Sequence, residues 1–236
     1  MNVAPVLVTV LLGGVAALDA APIAQTLLSQ PLVTATFLGW VWQDWPLALE
    51  VGVVLQILAA STLPVGARTP EDYAVGGVAG TGIALALASQ EPFAMARDSC
   101  ALVGAFAGML AATGGVGLLK WQRRHNESLG AWCEERLRAG DDGALAEAHR
   151  AAVVLSFAVG VAYCAVCLGL GVWLLNPLIE HQSIRLARAW SLAQPLWLGL
   201  GLAQLLNAFI QRRLTRAAAF GFALVCAWLV LLVGTR

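Results

Sequence analysis

The chain has 236 residues, of which 59% are hydrophobic and only 12% are charged, and its mean hydropathy is +0.77. Since charged residues normally make up about a quarter of a soluble domain, this composition excludes an ordinary soluble protein and predicts that a lipid bilayer surrounds most of the chain. The formal net charge is zero and no basic run has interleaved aromatic residues, so we expect no nucleic-acid partner.

The first 64 residues are apolar, but prolines interrupt them at positions 5, 22, 31, 46 and 64. Because proline removes a helical hydrogen bond, we expect short, kinked or re-entrant helices here rather than plain spans. The residues before Pro5 include no Lys or Arg, so this segment does not resemble a cleaved signal peptide and we assign it to the fold.

Apolar stretches of near-spanning length follow at 73–90, 100–119, 151–175, 191–210 and 217–235. An α-helix needs ~20 residues to cross the hydrocarbon core, so these stretches predict at least five spanning helices. The predicted fold class is therefore all-α, a polytopic membrane protein with broken or re-entrant helices in the N-terminal third.

Small residues within these stretches recur at the spacing of one helical turn. Gly76 and Gly80 form one such pair, and Gly104 and Gly108 form another. Such pairs let helix backbones approach closely in lipid, so they favour helix packing over the alternative role of a hinge. Cys164-Ala-Val-Cys167 places two thiols on one helical face, which we interpret as packing residues rather than a redox or metal pair.

The loop between the second and third predicted spans holds six of the 14 Lys and Arg residues of the chain. It contains Lys120, Arg123, Arg124, Arg136, Arg138 and Arg150. Because cytoplasmic loops carry the excess of Lys and Arg, we place this loop in the cytoplasm. The chain then divides into an N-terminal membrane region (1–119), a cytoplasmic charged loop (120–150) and a C-terminal membrane region (151–236).

Within the charged loop, apolar residues recur at helical spacing from Leu129 to Leu137, with Trp132 and Cys133 between them. This pattern predicts an amphipathic helix at the membrane surface or, equally, a solvated linker helix. Asp141-Asp142-Gly143 then predicts a turn before the next span.

No catalytic or metal-binding pattern is visible in the sequence. His125, His149 and His181 lie at or near loop ends, and no His-Glu-x-x-His pair or nucleophile elbow occurs. We therefore predict no catalytic residue, no metal and no cofactor on this chain.

Polar residues at membrane depth are concentrated in the first third: Asp19, Gln25, Asp44, Glu50, Gln56, Glu71 and Asp72. Ionisable groups are costly in a membrane segment and tend to face a cavity, a partner or a substrate path. Carboxylates and amides together suit a neutral, hydroxyl-rich solute, which favours a sugar. Helix capping at the proline breaks is an equal alternative for Asp44 and Asp72, whereas for Gln56, with no break nearby, we favour a functional role.

The same region carries a family resemblance. Its elements are Leu18-Asp19, Gln25, Ser29, Pro31, Gly39, Asp44, Gly52, Gln56, Leu63-Pro64-Val65-Gly66-Ala67, Pro70 and Asp72. In this order and spacing they resemble the N-terminal signature of the IIC permease subunit of the mannose, fructose and sorbose family of the bacterial phosphotransferase system. The match has no gaps from Asp19 to Asp72.

This resemblance implies a multi-pass sugar permease of the bacterial inner membrane, working beside a IID membrane subunit in a homotrimer of IIC–IID pairs. Phosphate would reach a hexose-type sugar through the soluble IIA and IIB phosphocarriers, and the IIC chain itself would carry no phosphate. The family's two acidic positions fall on Gln56 and Asp72, and the substrate-binding set we predict comprises Gln56, Asp72, Asp19, Gln25 and Asp44.

Three positions depart from the family pattern. Gln56 stands where the family usually has Glu, Gln43 where it has Gly, and Gln30 where it has Arg. Binding of a neutral or acetylated sugar is compatible with the amide, whereas recognition of an amino sugar through a carboxylate would suffer. The lost charge motivates a second hypothesis, a non-transporting structural or regulatory homologue that partners a IID subunit. An unrelated secondary transporter is disfavoured, because its coupling carboxylates would occupy two repeated halves.

Overall fold

The computed structural model describes residues 3–20, 23, 25–61, 69–90, 93, 96–209, 214, 215, 217, 218, 220–222, 225 and 228. Six helices follow in chain order: α1 (Val3–Ala20), α2 (Pro31–Val41), α3 (Trp45–Ser61), α4 (Tyr73–Ala88), α5 (Arg97–Arg138) and α6 (Ala144–Phe209). No strand occurs in these ranges, and the all-α prediction is confirmed. The signature segment 63–67 lies outside the described residues, as does most of the predicted span 217–235.

Within the described part of the chain, three helices are long and apolar enough to cross a membrane: Val3–Ala20, Arg97–Arg138 and the Ala144–Trp197 part of α6. The first of them corrects the expectation of only short or kinked elements before residue 64. Pro5 lies in the first turn of α1, where its missing N–H has no intrahelical partner to lose. The predicted span 151–175 lies in the part of α6 before a kink at Gln182 (φ −131°, ψ 15°). The described part of the predicted span 191–210 is also helical.

α2 and α3 form a broken hairpin, as the prolines predicted. Pro31 opens α2, and the chain reverses through Gln43, whose φ is +57°. The two helices pack closely, because a Cβ atom on Gly52 would lie 2.4 Å from the Cβ atom of Ala35. Trp42 Nε1 donates to Thr9 Oγ1 over 3.0 Å, which holds the end of the hairpin against α1.

α4 is the central helix, and every residue from Tyr73 to Leu87 is buried. Its glycines face those of α5, since a Cβ atom on Gly80 would lie 2.6 Å from the carbonyl oxygen of Gly104 and 2.6 Å from the Cα atom of Gly108. Likewise, a Cβ atom on Gly76 would lie 2.7 Å from the carbonyl oxygen of Gly108. The packing role predicted for both glycine pairs is confirmed.

α6 packs on α1 through small residues. A Cβ atom on Gly13 would lie 2.5 Å from the Cβ atom of Cys164, so this cysteine is a packing residue, as predicted. The opposite face of α1 is apolar and exposed at every fourth residue: Val3, Leu7, Leu11 and Val15. In a membrane protein such a face meets lipid or another apolar helix.

α5 runs without interruption from the buried glycines to the charged segment. Its 42 residues give a length of roughly 63 Å, about twice the ~30 Å thickness of the hydrocarbon core. The amphipathic segment predicted at 129–137 is the distal part of this helix. The predicted turn follows, where Gly143 N donates to Asp141 Oδ1 over 3.0 Å and Arg136 Nε donates to Asp141 Oδ2 over 2.9 Å.

Residues Met1–Ser191 and Leu192–Arg236 form separate compact units. The first unit contains all the residues that line the cavity of the candidate functional site, from Ala17 to Tyr163. The described part of the second unit is helical.

Candidate functional site

A cavity of about 590 Å³ lies in the first unit. It is lined by the ends of α1 and α3, the starts of α2 and α4, the middle of α5 and the first third of α6. Its polar lining residues are Ser29, Gln30, Glu71, Asp72, Tyr73, Gln122, Arg123, Asn126, Ser156 and Tyr163. Small-molecule sites usually have volumes of roughly 300–1,000 Å³ and a few convergent polar groups, so this cavity has the size and chemistry of a binding site for a small polar solute.

Asp72 lines the cavity and also begins α4. Its Oδ1 accepts from Val75 N over 3.2 Å, which caps the helix. Its backbone N donates to the carbonyl oxygen of Ala112 over 2.9 Å, which ties the cap to α5. A Cβ atom on Gly115 would lie 2.7 Å from the Cβ atom of Asp72, so the glycine makes room for the aspartate. The capping role is thus present, and it leaves Asp72 on the cavity wall.

Gln56 reaches the cavity through a second glutamine. Its Nε2 donates to Gln30 Oε1 over 2.7 Å, and its Oε1 accepts from Leu32 N over 3.2 Å. Gln30, rather than Gln56, is among the cavity-lining residues. Gln30 and Gln56 are two of the three departures from the family pattern, and they are direct partners. The resemblance implies Arg at position 30 and Glu at position 56, so an uncharged amide pair replaces a pair of opposite charges.

Asp19 organises the segment that carries Ser29 and Gln30 to the cavity. Its Oδ1 accepts from Thr26 N over 2.5 Å and from Thr26 Oγ1 over 2.8 Å, and its Oδ2 accepts from Ser29 N over 2.8 Å. The residue is only 4% exposed. A buried carboxylate that accepts three hydrogen bonds is well compensated, so the geometry gives Asp19 a positioning role.

Gln25 and Asp44 do not line the cavity. Gln25 is exposed in the loop after α1 with φ +50°, and its backbone N donates to Ile23 O over 2.8 Å. Asp44 precedes α3, accepts from Leu47 N over 3.3 Å and pairs with Arg97. It lies twelve residues before Gln56, which is roughly 18 Å along the helix. The structure thus gathers Asp72, Gln56 and Asp19 near one cavity and leaves Gln25 and Asp44 elsewhere.

Sequence reasoning did not single out the cavity residues of α5 and α6. Gln122, Arg123 and Asn126 lie in the segment interpreted as a loop, yet they are helical and face the cavity. Tyr163 lies in an apolar span, and its Oη donates to the carbonyl oxygen of Ala111 over 2.6 Å. The sequence did contain one signal for Tyr163, which is a single tyrosine within an apolar stretch. A buried phenol needs a hydrogen-bond partner, so such a tyrosine indicates a polar contact inside the fold.

Comparison with known proteins adds a sequence match and several structural matches. The sequence profile of a protein family described as the sorbose-specific IIC component of the phosphotransferase system matches residues 3–235. No curated protein matches the chain.

One solved structure of similar fold is described only as a membrane protein. It has a TM-score of 0.71 and 14% sequence identity, over 100% of this chain and 93% of the other. A cryo-EM structure of the mannose transporter ManYZ in complex with microcin E492 has a TM-score of 0.56 and 16% identity, over 97% of this chain and 96% of the other. At these identities the likeness concerns the fold.

Proposed function

Because this chain belongs to the family of sorbose-specific IIC components of the sugar phosphotransferase system, we propose that it transports a hexose-type sugar across the bacterial inner membrane. In this proposal it is the IIC subunit, and phosphorylation of the sugar by partner proteins drives accumulation. The chain supplies the path and the binding site, and the partners supply the phosphate.

The observation that carries the proposal is the composition of the 590 Å³ cavity. Its lining combines a carboxylate (Asp72), an amide (Gln30) and hydroxyls (Ser29 and Tyr163), which are the donors and acceptors that adjacent sugar hydroxyls need. We assign sugar contact to Asp72 and to Gln30, with Gln56 orienting Gln30 and Asp19 holding the preceding loop.

The proposed orientation and partners follow from the course of α5. The cavity extends along this helix as far as Asn126, and the helix continues into the basic segment that ends at Arg138. Because basic segments favour the cytoplasm, the cavity lies towards the side where soluble IIA and IIB phosphocarriers would act. A IID subunit beside this chain, in a trimer of such pairs, completes the proposed complex.

Uptake of labelled sugar tests this function directly. Cells expressing the full chain with its IID, IIA and IIB partners would be given a panel of hexoses and hexosamines, with and without phosphoenolpyruvate-dependent phosphoryl supply. We expect accumulation of a sugar phosphate that depends on this chain. Asp72→Leu and Gln56→Leu should weaken sugar binding, while Asp142→Asn, in the exposed turn before α6, should not. Unchanged affinity in both leucine variants would contradict the site assignment.

A second candidate function is a non-transporting structural or regulatory partner of a IID subunit. The uncharged Gln30–Gln56 pair favours it, because the resemblance implies charges at both positions. A stable complex with the IID subunit in the absence of uptake of any sugar in the panel would support this candidate over the permease.

A further inference from the structure

Arg123 is the one cation among the described residues that line the cavity. Its Nη1 donates to Thr69 Oγ1 over 3.1 Å. The ion pairs of the described ranges involve Arg97, Arg136 and Arg138 instead. Among these residues no carboxylate therefore neutralises the Arg123 guanidinium, which keeps several donor N–H groups for a ligand.

The two ends of the cavity differ in charge along α5. Asp72 packs against Gly115, whereas Arg123 lies eight residues later, which is roughly 12 Å along the helix. Glu71 adjoins Asp72 at the same end. A ligand with hydroxyl groups at one end and a negative group at the other would complement both ends of the cavity.

We propose that Arg123 binds the phosphate group of a phosphorylated sugar, so that the cavity receives the product of the transport reaction as well as the free sugar. This inference rests on the proposed function and extends it to a second ligand state. The hydroxyl groups of the sugar face Asp72 and Gln30, and the phosphate faces Arg123. The Asp72 carboxylate repels a phosphate at its own end of the cavity, so the phosphate lies at the Arg123 end.

The chemistry of the guanidinium supports this assignment. Its planar fork of N–H donors matches two phosphate oxygens, and such charge-assisted bonds are about twice as strong as neutral ones. Gln122 and Asn126, on the same stretch of α5, add amide donors beside it. A lipid phosphate headgroup offers the same chemistry, so the experiment has to separate the two sources.

Binding of labelled mannose and mannose 6-phosphate to the purified full chain, in complex with its membrane partner, tests the proposal. The variants are Arg123→Gln and the matched control Arg124→Gln. Arg124 is not among the described residues that line the cavity, and its Nε donates to the carbonyl oxygen of Lys120 over 3.4 Å. We expect Arg123→Gln to weaken mannose 6-phosphate binding about tenfold, which corresponds to ~1.4 kcal/mol, and to leave mannose binding unchanged. Arg124→Gln should change neither affinity. Arg123→Lys should retain part of the affinity, because it keeps the charge without the fork.

Several results would overturn the inference while leaving the proposed function intact. One is equal affinity for mannose 6-phosphate in the wild type and in Arg123→Gln. Another is an equal loss of this affinity in Arg123→Gln and Arg124→Gln. If vesicles containing phosphatidylglycerol abolish mannose 6-phosphate binding and vesicles of phosphatidylcholine do not, Arg123 belongs to a lipid site instead. Loss of mannose binding together with that of its phosphate would assign Arg123 to the sugar or the fold. Absence of binding of any hexose or hexose phosphate would overturn both proposals.

Discussion

The side chains of Gln56 and Gln30 are joined by a 2.7 Å hydrogen bond across 26 positions of sequence. The other end of the Gln56 amide accepts from the backbone N of Leu32, in the first turn of α2. The first turn of a helix has N–H groups without intrahelical partners. Gln56 therefore caps α2 from a neighbouring helix and at the same time orients the cavity-lining Gln30.

Replacement of Gln56 by Leu should destabilise the protein by about 1–3 kcal/mol, because it leaves a backbone N–H and the Gln30 side chain without this partner. The double variant Gln30→Arg with Gln56→Glu should be more stable than the sum of its single changes predicts, since only the pair neutralises both charges. Denaturant unfolding in detergent micelles measures the full cycle. Gln25→Leu, on an exposed side chain, is the control. Strict additivity in the cycle would show that the two positions do not interact.

Gln43 occupies the left-handed region, with φ +57°, at the reversal between α2 and α3. Its Nε2 donates to the carbonyl oxygen of Trp40 over 2.6 Å, which partly offsets the strain. We expect Gln43→Gly to leave unfolding stability unchanged or slightly higher. Gln43→Val should lower it by roughly 1 kcal/mol or more, because β-branched residues tolerate this region poorly. Thermal unfolding of the two variants tests this explanation. If the Gln43 side chain itself were required, Gln43→Gly and Gln43→Val would lower the unfolding temperature equally.

The contact between α4 and α5 leaves no room for a methyl group at Gly80. The nearest atoms are backbone atoms of Gly104 and Gly108, so they cannot yield by a rotamer change. Gly80→Ala should therefore destabilise the protein by roughly 1–3 kcal/mol. Gly117→Ala, in α5, is the matched control, because nothing lies within 4 Å of the added Cβ atom. Unfolding measurements that rank Gly117→Ala as the more harmful change would refute this packing.

Asp44 was predicted to bind substrate, and the structure pairs it with Arg97. Asp44→Asn should lose the ion pair with Arg97 but retain the hydrogen bond from Leu47 N that caps α3. Arg97→Gln should likewise lose the ion pair and leave the cap intact. Because Arg97 is 48% exposed, each change should lower the free energy of unfolding by no more than about 1 kcal/mol. The double variant should lower it by no more than either single change does, since both remove the same ion pair. Sugar uptake distinguishes the two roles. A loss of uptake in Asp44→Asn that Arg97→Gln does not share would assign Asp44 to the substrate.

Features that depend on local spacing could be predicted from the sequence. Gly76 and Gly80 lie one helical turn apart, as do Gly104 and Gly108, so each pair marks one face of its own helix without knowledge of the partner. Pro31 likewise marks the start of α2 through its own backbone geometry. The broken N-terminal third followed from such local signals.

Partners across the fold could not be predicted in this way. Trp190 Nε1 donates to Glu50 Oε2 over 3.2 Å, across 140 positions, and neither sequence neighbourhood points to the other. The length of α5 was missed for a different reason. Charged residues mark where an apolar stretch ends, but the segment after Lys120 contains good helix formers and no proline, so the helix continues to Arg138.

The burial of α4 has a consequence for biogenesis. Its 16 residues span only roughly 24 Å, and none of its side chains from Tyr73 to Leu87 has a lipid-facing position. During synthesis α4 leaves the ribosome before α5, whose glycines complete its surroundings. A nascent chain that ends after α4 would therefore expose the glycine face of α4, with its backbone atoms, to the bilayer. We expect quality-control proteases of the membrane to recognise this intermediate, and α4 and α5 to become protected together.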